Sequence, residues 1–282
     1  MNIKPQLKLL KAEASYRGDP TTIFHQLCGA RPATLLLESA EINSKQNLQS
    51  LLVIDSALRI TALGRIVTLQ ALTANGAAML PLLDEALPPE VQIQVRPNGR
   101  ELTFPPIDAI QDEDARLRSL SVFDALRTLL TLVDSPADER EAVMLGGLFA
   151  YDLVAGFEDL PTLRQDQRCP DFCFYLAETL LVLDHQRGVA RLQASVFTAD
   201  PSEEQRLQLR LEQLQVQLKQ TPQPIPHQKL ENMQLSCNQT DEEYGAVVSE
   251  LQQAIRQGEI FRWCRRVVSR CPARPRWPRI RR

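Results

Sequence analysis

The stretch Leu51-Leu52-Val53-Ile54-Asp55-Ser56-Ala57-Leu58-Arg59-Ile60-Thr61-Ala62-Leu63-Gly64-Arg65-Ile66-Val67-Thr68-Leu69-Gln70-Ala71-Leu72 decides the fold class. It is rich in Leu, Ile, Val and Thr and is interrupted only at Asp55-Ser56 and Leu63-Gly64. Branched side chains suit a pleated surface and short polar or glycine breaks suit tight turns, so the stretch predicts strands at 51–54, 58–62 and 66–72 of an antiparallel meander. The upstream run 34–38 has the same character and predicts one more strand.

Helical signals flank this sheet. Asp19-Pro20 places an N-cap before a proline at the first helical position, and Ile23, Phe24, Leu27 and Cys28 share one face until Gly29. Residues 77–87 predict a helix entered after Asn75-Gly76, kinked or shortened at Pro81 and closed by Pro88-Pro89. Ser121 is placed to cap a helix carrying Phe123, Leu126, Leu129, Leu130 and Val133 at helical spacing. Leu207, Leu211, Leu214 and Leu218 stripe a helix over about 202–220. Two hairpins are expected, 91–95 with 101–104 across Pro97-Asn98-Gly99, and 174–184 with 189–197 across Asp184-His185-Gln186-Arg187-Gly188. The fold class that follows is α+β, antiparallel sheets with packed helices.

Alternating prolines in Thr221-Pro222-Gln223-Pro224-Ile225-Pro226 remove backbone donors and mark a linker. The expected organisation is a domain at 1–220, a Pro-rich linker at 221–228, the opening of a second domain at 229–261, and a basic tail at 262–282. In the second domain, Thr240-Asp241-Glu242-Glu243 is a capping box. Val247, Val248, Leu251 and Ile255 give its helix an apolar face, Gly258 ends it, and Glu259-Ile260-Phe261 begin a strand.

The formal charge of -3 over 282 residues hides two unlike parts. Residues 262–282 hold nine of the 32 basic residues and none of the 35 acidic ones, so the tail is +9 and the remainder, with 23 basic residues, is -12. An apolar share of 44% with 24% charged excludes a disordered or collagen-like chain. No apolar run approaches the roughly 20 residues of a membrane span and no signal sequence opens the chain, so the expectation is a cytoplasmic protein without membrane partners. The tail, with both tryptophans (Trp263 and Trp277), admits three readings: a nucleic-acid arm, a disordered basic extension, or a GC-rich gene read out of frame. The last is favoured by the Arg, Pro, Ala, Trp and Cys composition, and no nucleic-acid partner is expected.

Chemistry-bearing residues are sparse. No cysteine pair among Cys28, Cys169, Cys173, Cys237, Cys264 and Cys271 has the C-x2-C spacing of a zinc site. His25, His185 and His227 are scattered, and no P-loop, G-x-S-x-G or G-x-G-x-x-G occurs. Gly146-Gly147-Leu148-Phe149 lacks the spacing that cradles phosphate, and Glu158, Asp159 and Asp184 are expected to face water. The residues by themselves define no catalytic constellation.

Long strings carry a resemblance. Residues 31–40 (Arg31 to Ala40), 50–64, 146–161, 169–179 and Gly258-Glu259-Ile260-Phe261 resemble the N-terminal half of the enterobacterial anthranilate synthase component I family. The likeness stops at Arg262, where the family continues with a strand like Q-V-V-P-S-R-R-F-S-L-P-C-P. Back-translated with suitable synonymous codons and shifted by one nucleotide, that strand reads Arg-Trp-Cys-Arg-Arg-Val-Val-Ser-Arg-Cys-Pro-Ala, the run 262–273.

The resemblance implies a lyase that adds ammonia to chorismate with Mg²⁺ and eliminates pyruvate to give anthranilate, ammonia coming from a glutamine amidotransferase subunit. It implies a regulatory domain at 1–220 and a truncated catalytic domain. Motifs of the forms G-A-S-P-E, I-A-G-T-R-P-R-G, D-L-A-R-N-D and S-G-A-P-K are absent, so no catalytic or metal residue is assigned and no Mg²⁺ is expected to bind. The family's L-L-E-S element of the L-tryptophan feedback site maps onto Leu36, Leu37, Glu38 and Ser39, making Glu38 and Ser39 the candidate ligand residues. A carboxylate and a hydroxyl suit the ammonium and carboxylate of an amino acid. The remainder of the pocket, an N-P-S-P-Y-M-like segment, is missing, so weakened tryptophan binding is expected. The different-class alternative is a non-catalytic module that senses tryptophan or docks the amidotransferase.

Overall fold

A computed structural model of the chain describes residues 7–38, 48–106, 113–133, 142–156, 169–222, 236–237, 239–259 and 269–270. The chain separates into two compact units, Met1–Ile225 and Pro226–Arg282.

The first unit is built on an antiparallel sheet of nine strands. These are β1 (Lys8–Ala14), β2 (Leu35–Glu38), β3 (Gln49–Leu63), β4 (Ile66–Ala71), β5 (Gln92–Arg96), β6 (Gly99–Thr103), β7 (Leu145–Phe149), β8 (Phe172–Asp184) and β9 (Val189–Val196). Their order is β1-β9-β8-β3-β4-β6-β5, with β2 added to β3 and β7 to β8. The long β3/β8 pair is the spine, and every other strand hangs from it. The α+β class with an antiparallel sheet is therefore observed.

The break expected at Asp55-Ser56 does not occur. β3 runs unbroken for 15 residues, and the irregularity is taken up as register shifts against β8 between Val53 and Leu58. A bulge turns a polar residue without ending a strand, and here it re-aims Asp55 toward donors on three other elements. The break at Leu63-Gly64 is a true turn: Gly64 takes φ +59 and its amide donates to Asp171 Oδ2 at 2.6 Å.

Among the described residues the unit also holds helices α1 (Pro20–Cys28), α2 (Ala74–Ala77), α3 (Met79–Ala86), α4 (Glu113–Arg118), α5 (Phe123–Thr131) and α6 (Pro201–Lys219), and a 3-10 helix at Tyr151–Gly156. Asp19 caps α1 through the Thr22 amide, as its position before Pro20 predicts. The single helix expected at 77–87 is two short ones meeting at Ala78, with Pro81 in the first turn of the second, where its missing N–H costs nothing. Ser121 does not cap α5 by its side chain; Val122 occupies the cap and Asp124 reaches back to the Ser121 amide at 2.7 Å. Leu130, read on the apolar stripe of α5, is exposed.

The core has two large parts. Leu52, Ile54, Leu181 and Leu192 pack under α1 and the four-leucine stripe of α6. Leu58, Ile60, Leu69 and Leu176 pack with α3 and α5 residues Leu83, Leu126 and Leu129. Strand alternation turns Val53, Leu180 and Val182 the other way, into a third cluster with Leu35 and Met144.

In the second unit, α7 (Asp241–Gln257) carries the expected capping box, with Thr240 Oγ1 accepting from the Glu243 amide and Glu243 accepting from the Thr240 amide, and Gly258 closes it at φ +78. None of its residues is buried. β10 (Ser236–Cys237) pairs with β11 (Ser269–Arg270), so two residues of the basic tail take strand geometry. Ile260 and Phe261, expected to start a strand, lie outside the described residues.

Candidate functional site

The L-L-E-S element forms the strand that its composition predicts. Leu36, Leu37 and Glu38 of β2 pair with Leu52, Leu51 and Ser50 of β3, and Glu38 ends the strand with its side chain exposed. Ser39 lies outside the described residues. Ser50, directly across from Glu38, is buried and its Oγ is 2.8 Å from His185 Nε2. The other ring nitrogen, Nδ1, is 2.9 Å from the Tyr16 hydroxyl, and the two rings meet edge-on at 5.9 Å. The His185 amide donates to the Leu48 carbonyl at 2.9 Å, fixing the chain where it re-enters β3. Glu38 thus ends a strand opposite a residue that begins a serine–histidine–tyrosine hydrogen-bonded chain.

One strand length away, Asp55 gathers a second polar cluster. Its Oδ1 accepts from Arg31 Nη1 at 2.8 Å and Arg210 Nη2 at 3.1 Å; its Oδ2 accepts from Arg210 Nε at 2.8 Å and Thr179 Oγ1 at 2.6 Å. Burial favours the neutral acid, but the bonds from Arg210, Arg31 and Thr179 outweigh it and hold the Asp55 carboxyl below its ordinary range. Arg31 also donates to the carbonyls of Leu27 and Ile54, both at 3.1 Å. Neighbouring Cys28 is buried, and that burial pushes its thiol up to about 11, an inert state for a cysteine.

A third network, around buried Glu178, is structural. The carboxylate accepts from Thr73 Oγ1, Asn75 Nδ2 and Arg206 Nη2, and Asn75 in turn donates to the Ser195 carbonyl and accepts from the Phe197 amide. Asp184 caps the β8–β9 turn through the amides of Gln186 and Arg187. Gly146-Gly147 lies inside β7, where a Cβ on Gly147 would stand 2.2 Å from the Cys173 carbonyl oxygen; the glycine serves strand approach.

Asp55 and His185 were not legible as site residues: the first reads as a turn and the second as a hairpin tip. The signal for Asp55 was an acid inside an apolar run with no glycine or proline beside it. Among the described residues no three or more His, Cys, Asp or Glu side chains stand together to hold a metal, and no helix is long and apolar enough to cross a membrane. Cys28, Cys169, Cys173 and Cys237 are in no disulfide. Glu158, Asp159 and His227 lie outside the described residues.

The chorismate binding enzyme family model matches residues 90–275, two thirds of the chain. The chain belongs to that family. The match starts before β5 and runs to residue 275, so the likeness does not stop at Arg262 as the sequence reading expected. Among chorismate binding enzymes, anthranilate synthase component 1 of Serratia marcescens is 84% identical over 275 residues, covering 97% of this chain and 53% of the relative. The Escherichia coli K12 protein of the same name is 58% identical over 272 residues, covering 96% and 52%. The chain therefore spans about half the length of the curated relatives it matches. A crystal structure of anthranilate synthase component I from Streptococcus pneumoniae aligns over 78% of this chain and 41% of its own at 14% identity, with a TM-score of 0.40.

Proposed function

We propose that this chain is the N-terminal part of an anthranilate synthase component I, whose whole protein converts chorismate and ammonia, or glutamine with an amidotransferase partner, to anthranilate and pyruvate in tryptophan biosynthesis. The observation that carries the reading is the 84% identity to the Serratia marcescens protein over 97% of the chain. In this reading the 282 residues do not turn over chorismate by themselves, because the chorismate-site motifs sought in the sequence are absent from them. The composition of the basic segment 262–282 supports another reading frame and the family match running on to residue 275 opposes it; sequencing the codons around Phe261 decides between the two.

Anthranilate fluorescence from chorismate, ammonia and Mg²⁺ is the test. The expected signal is that of buffer, and turnover above buffer would overturn the inactive form of the reading while leaving the family standing.

A second reading is favoured by the first unit having its own core and its own completed sheet. In it the chain is a binding module, with Glu38 and Ser39 taking the ammonium and carboxylate of L-tryptophan, or a docking platform for the amidotransferase. Calorimetric titration with L-tryptophan discriminates the two: micromolar binding favours the module, and weak or no binding favours an inert partial enzyme.

A further inference from the structure

The turn that delivers β2 is strained. Ala33 takes φ +59, the one positive φ outside glycine among the described residues. A Cβ in the left-handed region is disfavoured and persists only where its surroundings over-determine it. The surroundings here do so. Ser56 Oγ donates to the Ala33 carbonyl at 2.7 Å, Thr34 Oγ1 donates to the Arg31 carbonyl at 3.0 Å, and Arg31 is pinned to Asp55 and to the carbonyls of Leu27 and Ile54. Both anchors on β3, Asp55 and Ser56, sit in its bulge. The same Asp55 carboxylate receives two bonds from Arg210, midway along α6. The last turn of α6 is tied back to the start of the unit as well, Gln26 Nε2 donating to the Gln217 carbonyl and Arg17 Nη2 to that of Gln220.

From this geometry we infer that Asp55 is a positioning residue that couples the Glu38 end of β2 to α6. It holds the strained 31–34 turn through Arg31 and holds the helix through Arg210, so a shift of β2 along β3 is felt at α6 through one carboxylate, beside the apolar cluster that Leu36 shares with the α6 leucines. The positive φ of Ala33 makes this turn the place where the link is expected to yield first when one of its anchors is removed. The inference rests on the reading of the Glu38 end as an amino-acid site only for its trigger; the mechanical link stands on the described contacts.

The test uses amide hydrogen exchange on the full chain and its variants. Arg210→Gln removes the helix side of the link and touches no residue of β2; Arg206→Gln, one turn away, breaks the bonds to Glu178 and Glu203 instead and serves as the control for general weakening. In the free chain, Arg210→Gln is expected to raise exchange at the amides of Leu35–Glu38 by ~10-fold over Arg206→Gln, the size of an ordinary coupling between sites. Equal exchange at β2 in the two variants overturns the link. With L-tryptophan added, protection is expected in both β2 and α6 of the parent chain and in β2 alone of Arg210→Gln. Protection of α6 that survives Arg210→Gln also overturns it. Absence of tryptophan binding by the parent would instead sink the amino-acid reading of Glu38, and the free-chain comparison would still decide the link.

Discussion

Arg210 of α6 follows Asp55 of β3 by 155 positions in the chain, and its Nε nonetheless lies 2.8 Å from the Asp55 Oδ2. A second guanidinium, that of Arg31, donates to Oδ1 of the same carboxylate at 2.8 Å. One acid therefore bonds two bases, one in the turn before β2 and one on α6, and its removal leaves both without their shared carboxylate.

Asp55→Asn keeps the volume and removes the charge. Arg31 is 44% exposed at its side chain and contributes little once water screens it, whereas Arg210 at 22% and Asp55 at 19% are more sheltered. The expected cost is about 2–4 kcal/mol, from urea unfolding of the first unit, because breaking a sheltered pair strands its partner. A loss within error of zero would mean that the bulge, and not the charge, fixes this part of β3.

Acid should reveal the same group. Asp55 is held below its ordinary range in the fold, so the unfolded chain takes up its proton first as pH falls. Its stabilising contribution is complete above the normal carboxylate range and is lost as pH drops through that range and below. Urea midpoints between pH 7 and pH 3 should fall more steeply for the parent than for Asp55→Asn, and parallel slopes would contradict the assignment.

Cys28 and Cys169 should behave oppositely toward iodoacetamide. Cys169 is exposed and Cys28 is buried with its thiol pushed up to about 11. At pH 8 mass mapping should find Cys169 alkylated and Cys28 intact until the chain unfolds. The sign on stability is the reverse of that for Asp55: the unfolded thiol ionises first, from about 9, so this contribution weakens as pH rises from there toward 11.

Gly147→Ala probes the β7–β8 approach. The new Cβ would meet the Cys173 carbonyl oxygen at 2.2 Å and the Phe174 Cα at 2.6 Å, both backbone atoms that cannot swing aside. A loss of roughly 1–3 kcal/mol, with faster amide exchange across Leu145–Phe149, is the expected outcome. An unchanged melting temperature would show that β7 is free to leave the sheet.

Where a local rule governed, the sequence was sufficient. The Asp19-Pro20 cap, the leucine stripe of α6, the Thr240–Glu243 capping box and the β8–β9 hairpin each depend on residues within a few positions of one another. The misreadings arose where distant partners decide. Asp55 remains inside a strand because Arg31, Thr179 and Arg210 receive it, and nothing near it in sequence announces them. β1, Lys-Leu-Leu-Lys-Ala-Glu-Ala over Lys8–Ala14, carries only a faint polar–apolar alternation and becomes a strand because β9 offers it an edge. At the candidate site the strand bearing Glu38 was legible from composition, while the Ser50–His185–Tyr16 backing joins residues up to 169 positions apart and was not.

The pairing of β1 with β9 also sets a timetable for the newborn chain. Lys8 finds its strand partner at Val196, so β1 must wait for nearly 190 further residues before its edge is satisfied. At ordinary elongation rates of about 5–20 residues per second that is a delay of roughly 10–40 s. During it β3 and β4 can form a hairpin, but the outer edge of the sheet stays open to whatever else presents an unpaired strand. A strand edge left open during synthesis, rather than weakness of the finished fold, is the cost of joining β1 to β9 in one sheet.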